Sequence, residues 1–288
     1  MSLIAFVVPR LIGSPADVLL PPTATQDDVI RLEQLWGLDQ PLPLQYLRFV
    51  ANATTGNFGD SFVLNGPAAG AIGSRLPVTL ALAGFALLIV IPFGVALGVI
   101  SAVNRGRTLD RVIRAGAFTL QGIPSFWLGI LLIWLFVLKL RMLPLSGGDA
   151  LLDYVLPAIV LAHFPLAALL RLTRKEALEV LQSDFVDFAR MKGLSESAVV
   201  WKHMLRNSLI APMTYAGFLV ASLLTGTVIV ETIFALPGVG QLAVQSIQSR
   251  DYAVIQALLM LFAFTYVASS FLVDILYGVA DPRIRRPA

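Results

Sequence analysis

The sequence has 288 residues, of which 57% are hydrophobic and 14% are charged, with a mean hydropathy of +0.80 and a net charge of +3. A soluble domain is about 45–50% apolar and about 25% charged, so the composition excludes an ordinary water-soluble protein and predicts an integral membrane protein. The absence of cysteine excludes a disulfide framework, a thiolate zinc site and a cysteine nucleophile.

The first apolar segment, SLIAFVVPRLIG, is too short to span a bilayer. It would rise about 18 Å as a helix, against about 30 Å of hydrocarbon. No Lys or Arg precedes it, and no small-residue cleavage site is evident, so a signal peptide is not favoured. We expect residues 1–12 to be the end of a first helix whose beginning is missing.

Residues 13–75 are rich in Pro, Gly, Asn and Asp, which predicts a large loop. Inside it, Thr25 is a candidate N-cap, Asp27 and Asp28 suit a first helical turn, and apolar residues follow at helical spacing as far as Trp36. The loop could contact a soluble partner or cap the bundle, and the sequence leaves both open.

Five later segments are apolar and long enough to cross a bilayer as helices, at about 20 residues per span. They are residues 78–103, 115–138, 154–172, 209–230 and 253–277. The predicted fold class is therefore all-α, a polytopic transmembrane helical bundle with five complete spans and part of a first. We expect one transmembrane domain over residues 1–288, with residues 78–277 as its five-span core.

The distribution of Lys and Arg predicts the orientation, because cytoplasmic loops are enriched in both. One set of loops contains fourteen of these residues: 104–114, 171–208 and the tail after Asp281. The opposite set contains six: 13–75, 139–153 and 231–252. We therefore expect residues 278–288 to be a cytoplasmic tail and residues 13–75 to lie outside. In the full-length form, with six spans, both termini are then cytoplasmic.

The segment DFVDFARMKGLSESAVVWKHMLRN, residues 184–207, is called the charged loop below. Helical spacing predicts two short amphipathic helices separated by Gly193, which suits a C-cap with positive φ. Ser195 or Ser197 can cap the second helix. Two apolar stripes are predicted: Phe185, Phe188, Ala189 and Lys192, and then Val200, Trp201, Met204 and Leu205. From the residues alone, the charged loop either docks a protein partner or lies among lipid headgroups.

The sequence contains no G-x-x-x-x-G-K-S/T motif, so it has no P-loop for a nucleotide. His163 lies within a span, where it either contacts substrate or a metal or is a neutral, hydrogen-bonded residue of the bundle. Glu231 and Asp274 fall at span ends, whereas ion coupling would favour acidic groups near the midplane. Pro and Gly residues such as Gly94 and Pro124 kink the spans or allow close helix packing.

The charged loop resembles the E-A-A loop of the inner-membrane permease subunits of binding-protein-dependent ABC importers, in their peptide and nickel branch. In that loop E-A-A is followed by Gly and, later, by I-x-L-P. Here Asp187, Phe188 and Ala189 stand for E-A-A, and Gly193 occupies the expected place. The ending HMLRN departs from I-x-L-P, as is usual in the peptide and nickel branch.

Four other stretches are similar to the same branch, in the same order along the chain. They are RLIGSPAD at the first helix end, LWGLDQPLPLQYLRFV with GNFGDSF in the first outer loop, ETIFALPGVGQLAVQSIQSRDYAVIQ in the last one, and DPRIRR in the tail. The resemblance therefore covers essentially the whole chain.

The resemblance implies a fold of the type I ABC importer permease kind, in the bacterial inner membrane. It implies a homologous second permease in a heterodimer, two cytoplasmic ATPase subunits, a periplasmic or lipid-anchored solute-binding protein, and no nucleic acid. It implies no cofactor in this chain, since ATP and Mg²⁺ bind the ATPase subunits, and no enzymatic activity of its own. The residues it assigns to ATPase coupling are Phe185, Asp187, Phe188, Ala189, Lys192, Gly193, Leu194, Trp201, His203, Arg206 and Asn207.

The expected cargo is a dipeptide or oligopeptide, with a nickel or other metal chelate as the alternative. Two functions from other classes remain open: a secondary transporter driven by an ion gradient, and a membrane scaffold without transport. Within the branch the cargo is selected largely by the binding protein, which is another chain.

Overall fold

The computed structural model describes residues 1–12, 20, 23–61, 63–145 and 150–280. Part of the RLIGSPAD stretch and the DPRIRR tail lie outside these residues. Helices dominate the described chain, as the sequence predicts. They are α1 (Ser2–Ile12), α2 (Gln26–Trp36), α3 (Leu42–Thr54), α4 (Ala68–Val103), α5 (Thr108–Gly122), α6 (Ser125–Leu132), α7 (Val155–Leu181), α8 (Asp184–Met191), α9 (Glu196–Ala198), α10 (Leu205–Ser208), α11 (Ile210–Ile233), α12 (Val239–Gln248) and α13 (Tyr252–Ala280).

Three shorter features complete the fold. A π-helix continues α6 over Ile133–Lys139, a second π-helix joins α9 to α10 over Val199–Met204, and a 3₁₀ turn covers Leu151–Tyr154. Strands β1 (Asp60–Ser61) and β2 (Gly66–Pro67) pair antiparallel. The chain divides into two compact units, Met1–Thr79 with Leu236–Thr265, and Leu80–Ala235 with the described residues from Tyr266 onward.

The first unit joins the two long loops that were predicted to lie outside. Val239 and Leu242 of α12 pack in one apolar cluster with Ala68 and Ile72 of α4. The Val239 N–H donates to Thr79 Oγ1 at 2.8 Å, and the buried Ser61 hydroxyl donates to Asp251. The described residues of 13–75 and residues 236–252 therefore contribute to one unit, which is consistent with the prediction that the two loops lie on the same side of the membrane.

Residues before α4 also fold as the local sequence indicates. The predicted helix beginning at Thr25 is confirmed, and the Thr25 N–H donates to Asp28 Oδ2 at 2.9 Å. Helix α1 packs on α3 through Phe6, whose ring centroid lies 5.4 Å from that of Tyr46. Arg10 Nη2 donates to Gln45 Oε1 at 2.7 Å.

By length and composition, three described helices can cross a membrane, and five spans result if each of two bent pairs counts as one. The three are Ala68–Val103, Leu151–Leu181 and Tyr252–Phe271, and the bent pairs are Thr108–Gly122 with Ser125–Lys139 and Ile210–Val220 with Ser222–Ile233. The five predicted spans coincide with these helices. The first begins ten residues earlier than predicted, at Ala68 rather than residue 78.

The second predicted span, residues 115–138, is a bent pair of helices, with the break at the Gly122 and Pro124 positions that the sequence marks. It begins at Thr108 and bends by 100° between Gly122 and Ser125. Pro124 explains the break, because it has no N–H to donate and forces the residue before it out of the helical region. Ile123 is accordingly extended, with φ −87° and ψ 120°.

His163 compensates for this break. Its side chain is 5% exposed, and Nε2 lies 3.1 Å from the Ile123 carbonyl oxygen, while Nδ1 contacts the Val160 carbonyl. A carbonyl freed by a proline break in lipid must find another donor. Of the two roles left open for His163, the geometry supports that of a hydrogen-bonded residue in the bundle. Among the described residues no group of three or more potential ligands could hold a metal ion.

We expect His163→Leu to lower the free energy of unfolding by about 1–3 kcal/mol, because the imidazole contacts the Ile123 and Val160 carbonyls and its loss leaves one of them without a donor. His163→Gln keeps a side-chain donor and is the matched control. The measurement is unfolding of the purified protein in mixed micelles. Equal stability of the Leu variant and the wild type would contradict this role for His163.

Glycines allow α4 to approach α7 closely. A Cβ added at Gly98 would lie 2.6 Å from Thr173 Cβ and 2.8 Å from the Leu170 carbonyl oxygen, and one at Gly94 would lie 2.9 Å from Leu169 Cδ2. Gly94 and Gly98 form the G-x-x-x-G spacing that brings membrane helices into backbone contact. Of the two roles left open for Gly94, a kink or close helix packing, the structure supports packing. These contacts lie on α7, the helix that precedes the charged loop.

Candidate functional site

The first arm of the charged loop is α8, which ends at a left-handed glycine. Gly193 has φ 76°, its N–H donates to the Arg190 carbonyl at 2.9 Å, and the Leu194 N–H donates to the Ala189 carbonyl at 3.4 Å. These two bonds form the Schellman motif that ends a helix at glycine. The predicted positive φ at Gly193 is confirmed.

The second arm begins at Ser195 and runs through α9, the π-helix and α10 to Ser208. Of the two candidate caps, Ser195 is the one used, since its Oγ accepts the Ala198 N–H at 3.3 Å. The two predicted helices are therefore present on either side of Gly193. The second is continued by the π-helix between Val199 and Met204.

The inner face of the charged loop packs against the ends of two long helices. On the first arm, Val186 and Ala189 are buried together with Val199 against Val180 and Leu181 of α7. On the second arm, Val200 and Met204 are buried in a cluster that contains Val99 and Ala102 of α4 and Ala177 of α7. Both arms thus have apolar contacts with α7, and the second arm contacts α4 as well. A displacement of the charged loop must therefore move these helix ends or break two buried clusters.

The outer face carries exposed aromatic side chains. Phe185 is 42% exposed, and Phe188 and Trp201 are each 54% exposed. An exposed cluster of large apolar side chains on a polar loop is typical of a surface that binds a partner.

The burial pattern corrects the predicted stripes. Ala189 is 6% exposed and faces inward, unlike Phe185 and Phe188, while Val200 and Met204 are buried and Trp201 is exposed. The predicted stripe on α8 spans about 100° around the helix, so that one edge falls on the α7 side. The helical spacing of apolar residues identified the apolar side of α8, but it did not show which of those residues pack against α7.

Ion pairs connect the two arms across the glycine turn. Arg190 Nε donates to Glu196 Oε1 at 2.9 Å and Nη2 to Oε2 at 3.4 Å, and Arg190 also pairs with Asp187 at 3.5 Å. The hydrogen-bonded Glu196 carboxylate raises the pKa of the Arg190 guanidinium above its ordinary value. Lys192 Nζ lies 4.5 Å from the centre of the Phe188 ring, within cation–π range.

The remaining predicted residues lie around these two arms. Leu194 is 40% exposed, Arg206 and Asn207 are exposed, and His203 is partly buried. Asn207 Nδ2 donates to the His203 carbonyl at 2.7 Å, within the same helical turn. The HMLRN ending thus contributes Met204 to the inner cluster and polar groups to the surface.

Trp201 also faces a cavity of 340 Å³ with an almost entirely apolar lining. The cavity wall includes Ile91 and Pro92 of α4, Leu169 of α7, and Pro212 and Met213 of α11. Trp201 therefore connects the charged loop to the point at which three membrane helices approach one another.

A buried ion-pair cluster around Asp110 was not predicted from the sequence. Asp110 is 1% exposed and accepts hydrogen bonds from Ser101 Oγ at 2.7 Å and the Gly106 N–H at 2.9 Å. Arg174 binds both carboxylate oxygens, with Nε at 2.9 Å and Nη2 at 3.1 Å. The cluster joins α4, α5 and α7. Its only sequence signal is one acidic residue in an otherwise basic loop, NRGRTLDRVIR.

Comparison with known protein families identifies the family to which the chain belongs. The family described as binding-protein-dependent transport system inner membrane component matches residues 94–286. The chain belongs to this family. It is a permease subunit of an ABC importer, as the resemblance implied.

Relatives and solved structures agree. The chain is 39% identical over 294 residues to a putative peptide transport system permease protein of Brucella abortus strain 2308, covering 99% of this chain and 94% of the relative. It is 39% identical over 286 residues to the glutathione transport system permease protein GsiC of Escherichia coli K12, with the same shares of the two chains.

Two solved structures have a similar fold. The MetNI methionine ABC transporter, in an inward-facing conformation, has a TM-score of 0.63 and 18% identity, covering 73% of this chain and 96% of that chain. An amino acid ABC transporter has a TM-score of 0.54 and 16% identity, covering 73% and 94%. These similarities support the type I importer permease fold. Membership of the importer family also removes the secondary transporter and the scaffold from consideration.

Proposed function

We propose that the charged loop is the docking surface for a cytoplasmic ATPase subunit, and that it transmits movement of that subunit to α4 and α7. The observation that carries this proposal is the division of the loop into two faces. Its outer face exposes Phe185 and Phe188, and its inner face is buried against the two helices. A partner bound at the outer face would therefore move the helix ends through close-packed contacts.

The charges favour a protein partner over lipid headgroups. Asp184 precedes Phe185 and Asp187 precedes Phe188 in α8, and Arg190 with the C-cap residue Lys192 only balances these two acids. A helix that lies on anionic lipid is instead rich in Lys and Arg around its apolar face. Carboxylates beside the exposed rings disfavour that location.

The proposal includes the orientation and partners implied for the family. The side carrying the charged loop is cytoplasmic, because residues 104–114 and 171–208 are the basic ones. The loops 13–75 and 231–252 then lie outside, where a periplasmic or lipid-anchored solute-binding protein docks. A homologous second permease completes the pathway, and two ATPase subunits supply the ATP and Mg²⁺ sites.

The proposed cargo is a peptide, including tripeptides of the glutathione kind. The relatives at 39% identity carry peptide and glutathione transport names, which supports this cargo class. None of these names points to nickel, so the metal chelate alternative is not part of the proposal.

The deciding experiment is co-expression of the permease with the ATPase and binding-protein genes of its operon, followed by purification in mild detergent. We expect the ATPase subunits to co-purify, and the binding protein loaded with a dipeptide or glutathione to stimulate hydrolysis. Uptake of each labelled peptide, with a nickel salt for comparison, identifies the cargo. ATPase subunits that do not associate would overturn the docking role, and transport of nickel alone would overturn the peptide assignment.

Gly193 gives a sharper test of the loop. We expect Gly193→Leu to leave membrane insertion intact but to uncouple ATP hydrolysis from uptake, because a side chain at φ 76° costs about 1–2 kcal/mol and reshapes the turn between the arms. A Cβ here meets no atom within 4 Å, so backbone strain rather than a clash is the cause.

Two controls separate this effect from general strain. Gly193→Asn tolerates the left-handed region and should transport almost normally. Gly56 has φ 74° and equally open space in the first unit, so Gly56→Leu introduces the same strain far from the charged loop in sequence. Normal uptake by Gly193→Leu would count decisively against its role in coupling.

A further inference from the structure

A cationic groove lies between α5 and α7. Five basic side chains line it, together with Ala115 and Phe118, around a volume of 580 Å³. The basic residues are Arg111, Arg114, Arg171, Arg174 and Lys175. The docking proposal does not use this groove.

The sequence builds the groove from two helical stripes. On α5, residues 111, 114, 115 and 118 recur at the spacing of one helix face, and on α7 residues 171, 174 and 175 do the same. The two helices pack through Ala117 of α5 and Ala167 and Leu170 of α7, which places the stripes side by side. The result is one basic surface that continues into an apolar wall.

The protein itself neutralises only part of this charge. Asp110 is shared by Arg174 and Arg114, and Lys175 pairs with Glu176 and Glu179. Arg111 and Arg171 form no salt bridge within the described part of the chain, although Arg171 donates to Gln121 Oε1. The groove therefore holds two guanidinium groups that no carboxylate of the described chain balances.

The position along α7 matches the level of lipid headgroups. Helix α7 begins at Val155, and the rise from there to Lys175 is about 30 Å, the thickness of the hydrocarbon core. With the predicted span edge at residue 154 as one side of the hydrocarbon core, Arg171 and Lys175, about 24 and about 30 Å along the helix, reach the opposite side, where the charged loop follows. Phe118, 75% exposed, and Val112, 62% exposed, offer apolar surface on the adjacent helix.

We propose that this groove binds the headgroup of an anionic phospholipid, with an acyl chain against Phe118. Guanidinium groups form paired hydrogen bonds with phosphate oxygens, and basic pockets between membrane helices on the cytoplasmic side bind such headgroups. A soluble phosphate ester could bind the basic side chains, but it has no acyl chain to pack against the apolar wall formed by Phe118 and Ala115. The proposal is independent of the nature of the cargo.

The test is lipid binding to the assembled transporter, measured by native mass spectrometry after delipidation and addition of phosphatidylglycerol or phosphatidylcholine. We expect retained phosphatidylglycerol adducts and at least about tenfold weaker retention of phosphatidylcholine. The double variant Arg111→Gln/Arg171→Gln should lose phosphatidylglycerol by a similar factor. The matched control Arg105→Gln/Arg107→Gln removes two neighbouring cations outside the groove and should bind as the wild type does.

Three outcomes of the lipid-binding measurement would overturn the proposal. They are equal retention of the two lipids, unchanged retention in the groove variant, and displacement of the lipid by glycerol phosphate at equal concentration, which would indicate a site for soluble phosphate. If the double variant does not assemble, Arg111→Gln alone, an exposed side chain, replaces it. Because this chain has no cysteine, Phe118→Cys can be labelled at a single position of the chain before assembly, and a cross-link to another subunit would identify the groove as a protein interface.

Discussion

Asp110→Ala is expected to destabilise the protein by about 3–5 kcal/mol, because it leaves the guanidinium of Arg174 without its partner. Asp110 is 1% exposed and Arg174 is 20% exposed, so water replaces the lost carboxylate only in part. The variant also removes the acceptor of the Ser101 hydroxyl and the Gly106 N–H. The measurement is the apparent free energy of unfolding in mixed micelles.

Two further variants isolate the cause of this effect. Arg114→Ala removes a half-exposed partner 3.3 Å from Asp110 and should cost less than about 1 kcal/mol. Asp110→Ala/Arg174→Met removes both buried charges and should be more stable than Asp110→Ala alone. An apparent free energy of unfolding for Asp110→Ala equal to that of the wild type would contradict the role of this cluster in holding α4, α5 and α7 together.

The second large effect concerns the exposed aromatic side chains of the charged loop. Phe185→Ser/Phe188→Ser should weaken ATPase association by at least about 30-fold and abolish uptake, because aromatic anchors dominate binding energy at interfaces. Folding should be preserved, since both rings lie on the outer face. The measurement is titration of purified ATPase subunits onto the permease in nanodiscs.

A matched variant elsewhere controls for the loss of exposed apolar surface. Leu47 is 64% exposed on α3, in the first unit, and Leu47→Ser should leave ATPase binding unchanged. Unaltered affinity of the double Phe variant would remove the aromatic pair from the interface. Equal weakening by Leu47→Ser would indicate a general effect of the substitutions.

Local chemistry was sufficient to predict several features. Runs of apolar residues located the spans, the Thr25 cap located a loop helix, and the conformational freedom of Gly193 located the turn between the two arms. In each case neighbouring residues determine the conformation, so no tertiary information is needed. The family resemblance of the charged loop rests on similar local spacing.

Other features depend on distant partners. Asp110 is buried only because Arg174, 64 residues away, completes its hydrogen bonds, and Ser61 meets Asp251 across 190 residues. Ala189 faces inward because α7 packs on that side of α8. The position of α7 cannot be deduced from the spacing of apolar residues on α8. The 100° bend at Pro124 likewise needed the structure, because proline allows anything from a gentle kink to a complete break. The prediction of a single domain and the assignment of coupling residues stay predictions.

The docking of an ATPase on the charged loop is tested most directly by site-specific cross-linking. The chain contains no cysteine, so Phe188→Cys gives a unique attachment point within this chain, which is labelled with a short maleimide photo-cross-linker before the transporter is assembled. We expect a covalent product with the ATPase subunit whose yield changes when ATP is trapped, and no such product from Leu47→Cys. Cross-linking of position 188 to lipid, with no ATPase product, would contradict the account.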